Sequence, residues 1–226
     1  MQHNINSLIG NRIEATDGEI GKVVEFYFDD ETWTIRYLIL KIENWISGRK
    51  VLISPEALVK GTTSSETFFI NLTKKQVISS PDIDTDKPVF RQQEIELYGH
   101  YSWKGYWESG FYAGGLGSQI DSKEKHKRVD VDLHLRSSNQ LTGYEIFGIE
   151  GEIGHIKDFI IDDQTWKLIF LVIGTNHQLG GNNILVAAGH IKQLLWSDSE
   201  VYTDLKFSSI KDCSLFDESV YTSISS

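Results

Sequence analysis

Short alternating runs dominate the chain, and they predict strands. Ile20-Gly21-Lys22-Val23-Val24-Glu25-Phe26-Tyr27-Phe28 mixes polar and apolar positions with β-branched and aromatic residues, and Asp29-Asp30 closes it. The run from Trp33 to Ile42 follows at once, so the two read as a hairpin around Asp29-Asp30-Glu31-Thr32. A loop over residues 43–49 leads to a short strand, Lys50-Val51-Leu52-Ile53. Ser54-Pro55 then opens one helical turn, with Ser as N-cap and Pro at the first helical position. Residues 67–71 are another strand. Thr73-Lys74-Lys75-Gln76 has capping-box spacing, which predicts a short helix to about Ser79, ended before Pro81.

The same pattern returns 133 residues later. Leu8-Ile9-Gly10 recurs as Leu141-Thr142-Gly143, and Asp17-Gly18-Glu19-Ile20-Gly21 as Glu150-Gly151-Glu152-Ile153-Gly154. Asp29-Asp30-Glu31-Thr32-Trp33 recurs as Asp162-Asp163-Gln164-Thr165-Trp166, and Val51-Leu52-Ile53 as Ile184-Leu185-Val186. A register kept over some seventy residues without a gap indicates a duplicated structural unit. Strands are expected over 153–161, 166–173, 183–186 and 201–205, followed by a tail of Ser and Asp residues. Many short strands with Gly-rich turns indicate small antiparallel barrels, since closure removes exposed edges. The expected fold is all-β: two tandem small antiparallel β-barrels with short helical turns, over residues 1–84 and 139–226. A linker over 85–138 joins them. Each copy alone is small enough to be marginally stable, so packing of the copies on each other or on a partner is expected.

Composition narrows the function. A net charge of −10 opposes nucleic-acid binding, which draws affinity from cations neutralising phosphates. The basic cluster Lys123-Glu124-Lys125-His126-Lys127-Arg128 lies between the copies. It reads as solvated linker, with an anionic lipid or partner surface as the alternative. Cys213 is the single cysteine, so no intramolecular disulfide forms and a reducing compartment is expected. Beside Asp212 and without a basic neighbour, it reads as a packing residue. No basic segment followed by an apolar run opens the chain, and no stretch approaches the roughly 20 apolar residues of a spanning helix. The expectation is a cytoplasmic protein with no membrane span, peripheral association with a membrane remaining open.

The candidate chemistry is thin. Asp29-Asp30 and Asp162-Asp163 resemble acid–base or metal-binding pairs, but Asp also caps turns, and neighbouring strand residues face opposite sides. They are read as turn-formers. Gly18, Gly21, Gly151 and Gly154 lack phosphate-loop spacing and are read as turn and bulge positions. His155, His177 and His190 come from three separate segments, without metal-ligand spacing. No catalytic, metal or cofactor residue is nominated. Trp33 and Trp166 read as covering the barrels. Trp45 is different, because it lies in a loop and aligns with Gln178. The linker concentrates aromatics among glycines, including Tyr101, Trp103, Tyr106, Trp107, Phe111 and Tyr112. Rigid aromatics of this kind supply binding hot spots. With Trp45 they form the candidate interaction surface, for a protein partner or a second copy of the chain. The alternative is that the linker folds back over the groove between the barrels, and by its pattern it has no core periodicity.

Asp17-Gly18-Glu19-Ile20-Gly21, then residues 29–38, then Lys50-Val51-Leu52-Ile53-Ser54-Pro55 resemble the PRC-barrel domain. That small β-barrel is named after the cytoplasmic domain of the photosynthetic reaction centre H subunit, and it also forms the C-terminal part of a ribosome-maturation factor. The second copy is similar through Leu141-Thr142-Gly143-Tyr144, residues 151–155 and residues 161–166. Asp86-Lys87-Pro88 and the residues to Glu94 resemble the linker of bacterial tandem PRC-barrel proteins. The resemblance implies a docking module without chemistry of its own. One alternative is an H-subunit-like accessory role in a membrane electron-transfer complex. A second is an enzyme with its site in the cleft between barrels.

Overall fold

The computed structural model describes residues 1–42, 49–59, 66–81, 91–105 and 135–221. Trp45, Tyr106, Trp107, Phe111, Tyr112 and the basic cluster lie outside the described residues. The first repeat runs β1 (Gln2–Asn4), α1 (Ile5–Leu8), β2 (Arg12–Ala15), β3 (Gly18–Asp29), β4 (Thr34–Ile42), β5 (Lys50–Ile53), β6 (Thr67–Phe69) and α2 (Lys74–Ile78). After it comes α3 (Arg91–Tyr101). The second repeat runs β7 (Leu135–Ser137), α4 (Ser138–Leu141), β8 (Glu145–Gly148), β9 (Gly151–Asp162), β10 (Lys167–Thr175), β11 (Asn183–Ala187), β12 (Ile191–Leu195), β13 (Glu200–Thr203) and α5 (Phe207–Lys211), followed by α6 (Glu218–Tyr221).

The spacing of 133 extends into the pairing. β2 pairs antiparallel with β3 and parallel with β6, and β8 does the same with β9 and β13. Register shifts fall at Ile13/Glu14 and at Ile146/Phe147, which are matched positions. Beside these bulges, Gly21 and Gly154 let two strands cross closely. A Cβ on Gly21 would stand 2.2 Å from the Lys41 carbonyl oxygen, and one on Gly154 2.0 Å from that of Gly174. The local cues act as their residue types dictate. Thr73 and Gln76 close a capping box at α2, and Ser54 caps the 3₁₀ turn Pro55–Ala57.

The molecule is mostly β, but the sheet does not close. Its path runs β12-β13-β8-β9-β10-β4-β3-β2-β6 and passes from one repeat into the other where Thr34 pairs with Lys167. The expected closure of each copy is thus replaced by continuity across the seam, which satisfies the same edge groups. Trp33 and Trp166 make this join. Each ends a turn in the left-handed region, at φ 54° and 56°. The Trp166 carbonyl accepts from the Ile35 amide and the Trp33 carbonyl from the Leu168 amide, both at 2.7 Å.

Two further strands are exchanged. β1 of the first repeat pairs with β9 of the second, Gln2 opposite Asp162 and Asn4 opposite Ile160. Reciprocally, β7 pairs with β3, Leu135 opposite Asp29 and Ser137 opposite Tyr27. Residues 2–8 and 135–141 are therefore equivalents at the spacing of 133. Among the described residues the larger of two hydrophobic clusters contains residues of both repeats. Phe28 of β3 meets Phe159 of β9 at 6.3 Å between ring centres.

The segment between the repeats corrects a second expectation. It contains a helix, α3, whose Glu94, Leu97, Tyr98 and Tyr101 are buried on one face at helical spacing. Tyr98 meets Tyr37 edge-on at 6.4 Å, and Tyr37 Oη donates to Glu94 Oε1 at 2.5 Å. Phe170 is the equivalent of Tyr37, and there Phe216 and Tyr221 of the C-terminal segment cover the sheet. Each repeat is thus followed by a segment that covers the same outer face. No helix among the described residues is long and apolar enough to cross a membrane.

Candidate functional site at the seam of the two repeats

The paired aspartates divide their work. Asp29 Oδ1 accepts from the amides of Glu31 and Thr32 at 3.1 and 2.9 Å, and Asp162 Oδ1 from that of Gln164 at 3.0 Å. These are the expected turn-formers. Asp30 and Asp163 are not: they reach across the seam to the exchanged strands. Asp30 Oδ2 accepts from Arg136 Nε at 3.0 Å, and Asp163 Oδ2 lies 3.3 Å from His3 Nε2. Arg136 and His3 are equivalent residues of β7 and β1. One level deeper, Asn4 Nδ2 donates to Asp158 at 2.9 Å, and the equivalent Ser137 hydroxyl donates to Glu25.

These contacts set the electrostatics. Partial burial raises the Asp29 carboxyl, but bonds from the Thr32 amide and Arg36 outweigh it and hold the group below its ordinary value. Asp163 is likewise raised by burial and lowered further by the Met1 ammonium, Gln164 and His3. Asp158 goes the other way, because burial dominates the bonds from Asn4 and from the Phe159 and Asn6 amides. A depressed carboxylate contributes stability that is complete above the unfolded value of about 4 and is lost as pH falls through the folded value. Asp163→Asn is therefore expected to flatten the loss of stability below about pH 4, as read by denaturant titrations between pH 6 and 2.5. Asp30→Asn removes a more deeply buried charged bond and is expected to cost about 1.5–3 kcal/mol. An unchanged acid limb in Asp163→Asn would contradict this assignment.

Beside the seam lies a cleft of about 520 Å³, within the size range of small-molecule and side-chain sites. Its walls are Pro55, Leu58, Val59 and Phe68 of the first repeat, Tyr98 of α3, His3 and Leu8, and the Asp163–Trp166 turn of the second repeat. Trp166 stands 6.2 Å from Phe68. Trp33 instead stacks on Phe28 at 5.6 Å. Val59 at the cleft and Phe69 of β6 are exposed, at 39% and 36%. The Val59 amide donates to the Phe69 carbonyl at 2.8 Å, which fixes them side by side. Burial pushes the Tyr98 hydroxyl up to about 12, so it does not act as a base near neutrality. His3 Nε2 and the Met1 ammonium both pair with Asp163 at the cleft, and Ser54 Oγ accepts from the Glu56 amide.

Of the aromatic candidates, Tyr101 is buried and stacks on Trp103 at 4.3 Å, while Trp103 meets Tyr98 edge-on at 5.6 Å. Both rings pack on the chain itself, because the face of α3 that carries Tyr98 and Tyr101 turns toward the sheet and Trp103 follows just after the helix. His155, His177 and His190 are exposed, and His190 pairs with Asp204 at 2.8 Å. Among the described residues no group of three or more His, Cys, Asp or Glu converges on one point. The Cys213 thiol is partly buried and raised, first by burial and then by Asp212. The sequence reading missed the cleft, since its walls come from segments over 100 residues apart. The one local sign was Phe68-Phe69, a pair of large apolar residues on opposite faces of an edge strand.

Residues 1–77 match the PRC-barrel domain. The match ends at α2, the last element of the first repeat. Among curated proteins none matches the chain. The PRC-barrel segment supplies most of the cleft, and the second repeat closes it with the Trp166 turn.

Proposed function

We propose that the chain is a docking protein without catalysis of its own, built from two PRC barrels in tandem and acting in the cytoplasm on a protein partner. The observation that carries this reading is the cleft at the seam. Its walls include an apolar surface of Pro55, Leu58, Val59, Phe68, Tyr98 and Trp166, and three of the titratable side chains beside it, His3, Asp163 and Arg36, make bonds that hold turns and exchanged strands in place. The equivalent pairing and bulges of the second repeat support a second barrel of the same kind. Exposed Val59 and Phe69 extend the apolar wall outward, in the pattern of an anchor site with an accessible rim.

The test is a paired capture from the native host. Wild type is expected to retain a specific protein that Val59→Asp with Phe69→Asp loses. Both sites are exposed, so the melting temperature should stay close to that of wild type. Equal retention by the double variant, or turnover of a small molecule that stops in His3→Ala, would overturn the reading.

A further inference from the structure

The seam has two halves of the same geometry. β1 lies on β9 with Asn4 opposite Ile160, and β7 lies on β3 with Ser137 opposite Tyr27. These are equivalent positions, so the exchanged strands keep the same register. Two polar couples cross the seam at each half. The outer couples are His3 with Asp163 and Arg136 with Asp30. The acceptor is aspartate in both, so the outer couples do not distinguish one repeat from the other. The inner couples differ on both sides. Asn4 Nδ2 donates to Asp158 Oδ2 at 2.9 Å, whereas the Ser137 hydroxyl donates to Glu25 Oε1. Asn4 and Asp158 are 2% and 5% exposed and Glu25 is 9% exposed. Little water reaches these carboxylates to replace a missing donor.

The two differences compensate in length. The asparagine donor atom lies three bonds from its Cα and the aspartate acceptor three from its own, six together. The serine donor lies two bonds out and the glutamate acceptor four, again six. Pairing like with like in the same register breaks this match. Asn4 against Glu25 has one bond too many and Ser137 against Asp158 one too few, a mismatch of up to about 1.5 Å each way. Added to the 2.9 Å of the native bond, the deficit takes the Ser137 hydroxyl out of hydrogen-bonding range of Asp158. The excess at Asn4 and Glu25 has to be folded away among packed side chains. We infer that these length-matched couples select the partner of each exchanged strand, directing β1 to the second repeat and β7 to the first and rejecting the like repeat of a second copy of the chain. A chain that paired like with like would offer both of its seams to other copies and assemble into multimers. Penalising the wrong partner is a general source of specificity.

The experiment exchanges donors and acceptors in the full chain, with thermal melts beside sedimentation velocity. Asn4→Ser with Ser137→Asn mismatches the native seam and matches the like-with-like one. Ser137 also caps α4 by accepting from the Gln140 amide, and Asn caps as well as Ser does, so the exchange preserves that role. This pair is expected to melt about 5–15 °C below wild type and to gain concentration-dependent mass. Glu25→Asp with Asp158→Glu sets up the same mismatch from the other side and should give the same two changes. All four substitutions together restore the matched lengths at both halves. The quadruple variant should therefore recover wild-type mass and most of the wild-type melting temperature, although it carries the most changes. Couples that served packing alone would give losses that add. If an exchanged pair fails to fold, the quadruple variant decides alone, because only length matching predicts its rescue. The inference is overturned if a folded exchanged pair keeps wild-type mass, or if the quadruple variant is no more stable than the pairs it combines.

Discussion

Gly154→Ala is expected to cost about 3–5 kcal/mol. Two penalties combine. The new Cβ would sit 2.0 Å from the Gly174 carbonyl oxygen, where no flexible side chain can yield, and φ of 153° is a conformation that L residues rarely adopt. Overpacking against backbone and a strained φ each cost roughly 1–3 kcal/mol. Gly21→Ala at the equivalent site meets the same obstruction, 2.2 Å from the Lys41 carbonyl oxygen, without the φ penalty, and is expected to cost about 1–3 kcal/mol. Gly10→Ala separates the terms, since φ there is 92° but nothing lies within 4 Å of the added atom. It should cost about 1 kcal/mol. Denaturant melts of the three variants give the order Gly154, Gly21, Gly10; equal losses would show that the crossings relax freely.

Phe159→Ala is expected to lower stability by about 3–5 kcal/mol, and to do so for both repeats at once. Phe159 is 1% exposed and faces Phe28 across the seam, inside a core that contains residues of both repeats. For a chain of this length that loss corresponds to a melting temperature lower by roughly 6–20 °C. Calorimetry should show one transition, with calorimetric and van't Hoff enthalpies in agreement. Two transitions, only one of them moved, would mean that the repeats fold independently and that the shared core is not cooperative.

What the sequence displays is what local chemistry determines. Asp29-Asp30-Glu31-Thr32-Trp33 and its repeat announce the hairpin because Asp caps the turn through bonds two or three residues away. Thr73-x-x-Gln76 announces α2 for the same reason. The exchanged strands gave no such sign. Gln2-His3-Asn4 and Leu135-Arg136-Ser137 share no residue, since backbone pairing holds them on β9 and β3 and different side chains bond the equivalent carboxylates. α3 was concealed by Glu94: a carboxylate within the buried stripe breaks the apolar period, and only its bond from Tyr37 explains it. Asp30 and Asp163 were assigned to turns because their true partners, Arg136 and His3, lie 106 and 160 positions away. The cleft needs both repeats to exist, so no stretch of either one displays it. Of the seven aromatic residues picked as an interaction surface, Tyr101 and Trp103 pack against α3 and the sheet, and the other five lie outside the described residues.

Everything proposed for the seam depends on the reciprocal exchange of β1 and β7, and cysteine cross-linking tests that directly. In a Cys213→Ser background, Gln2→Cys with Asp162→Cys places two thiols at paired positions of an antiparallel ladder. Cα separations there are about 4.5–5.5 Å, within the span of a disulfide. The expected result is a disulfide formed within one chain at low protein concentration. Leu135→Cys with Asp29→Cys should give its reciprocal. If each repeat kept its own strand, Gln2→Cys would instead link to Asp29→Cys and Leu135→Cys to Asp162→Cys. Efficient linkage of those pairs, with none between residues 2 and 162, would contradict the interlocked arrangement and the cleft built on it.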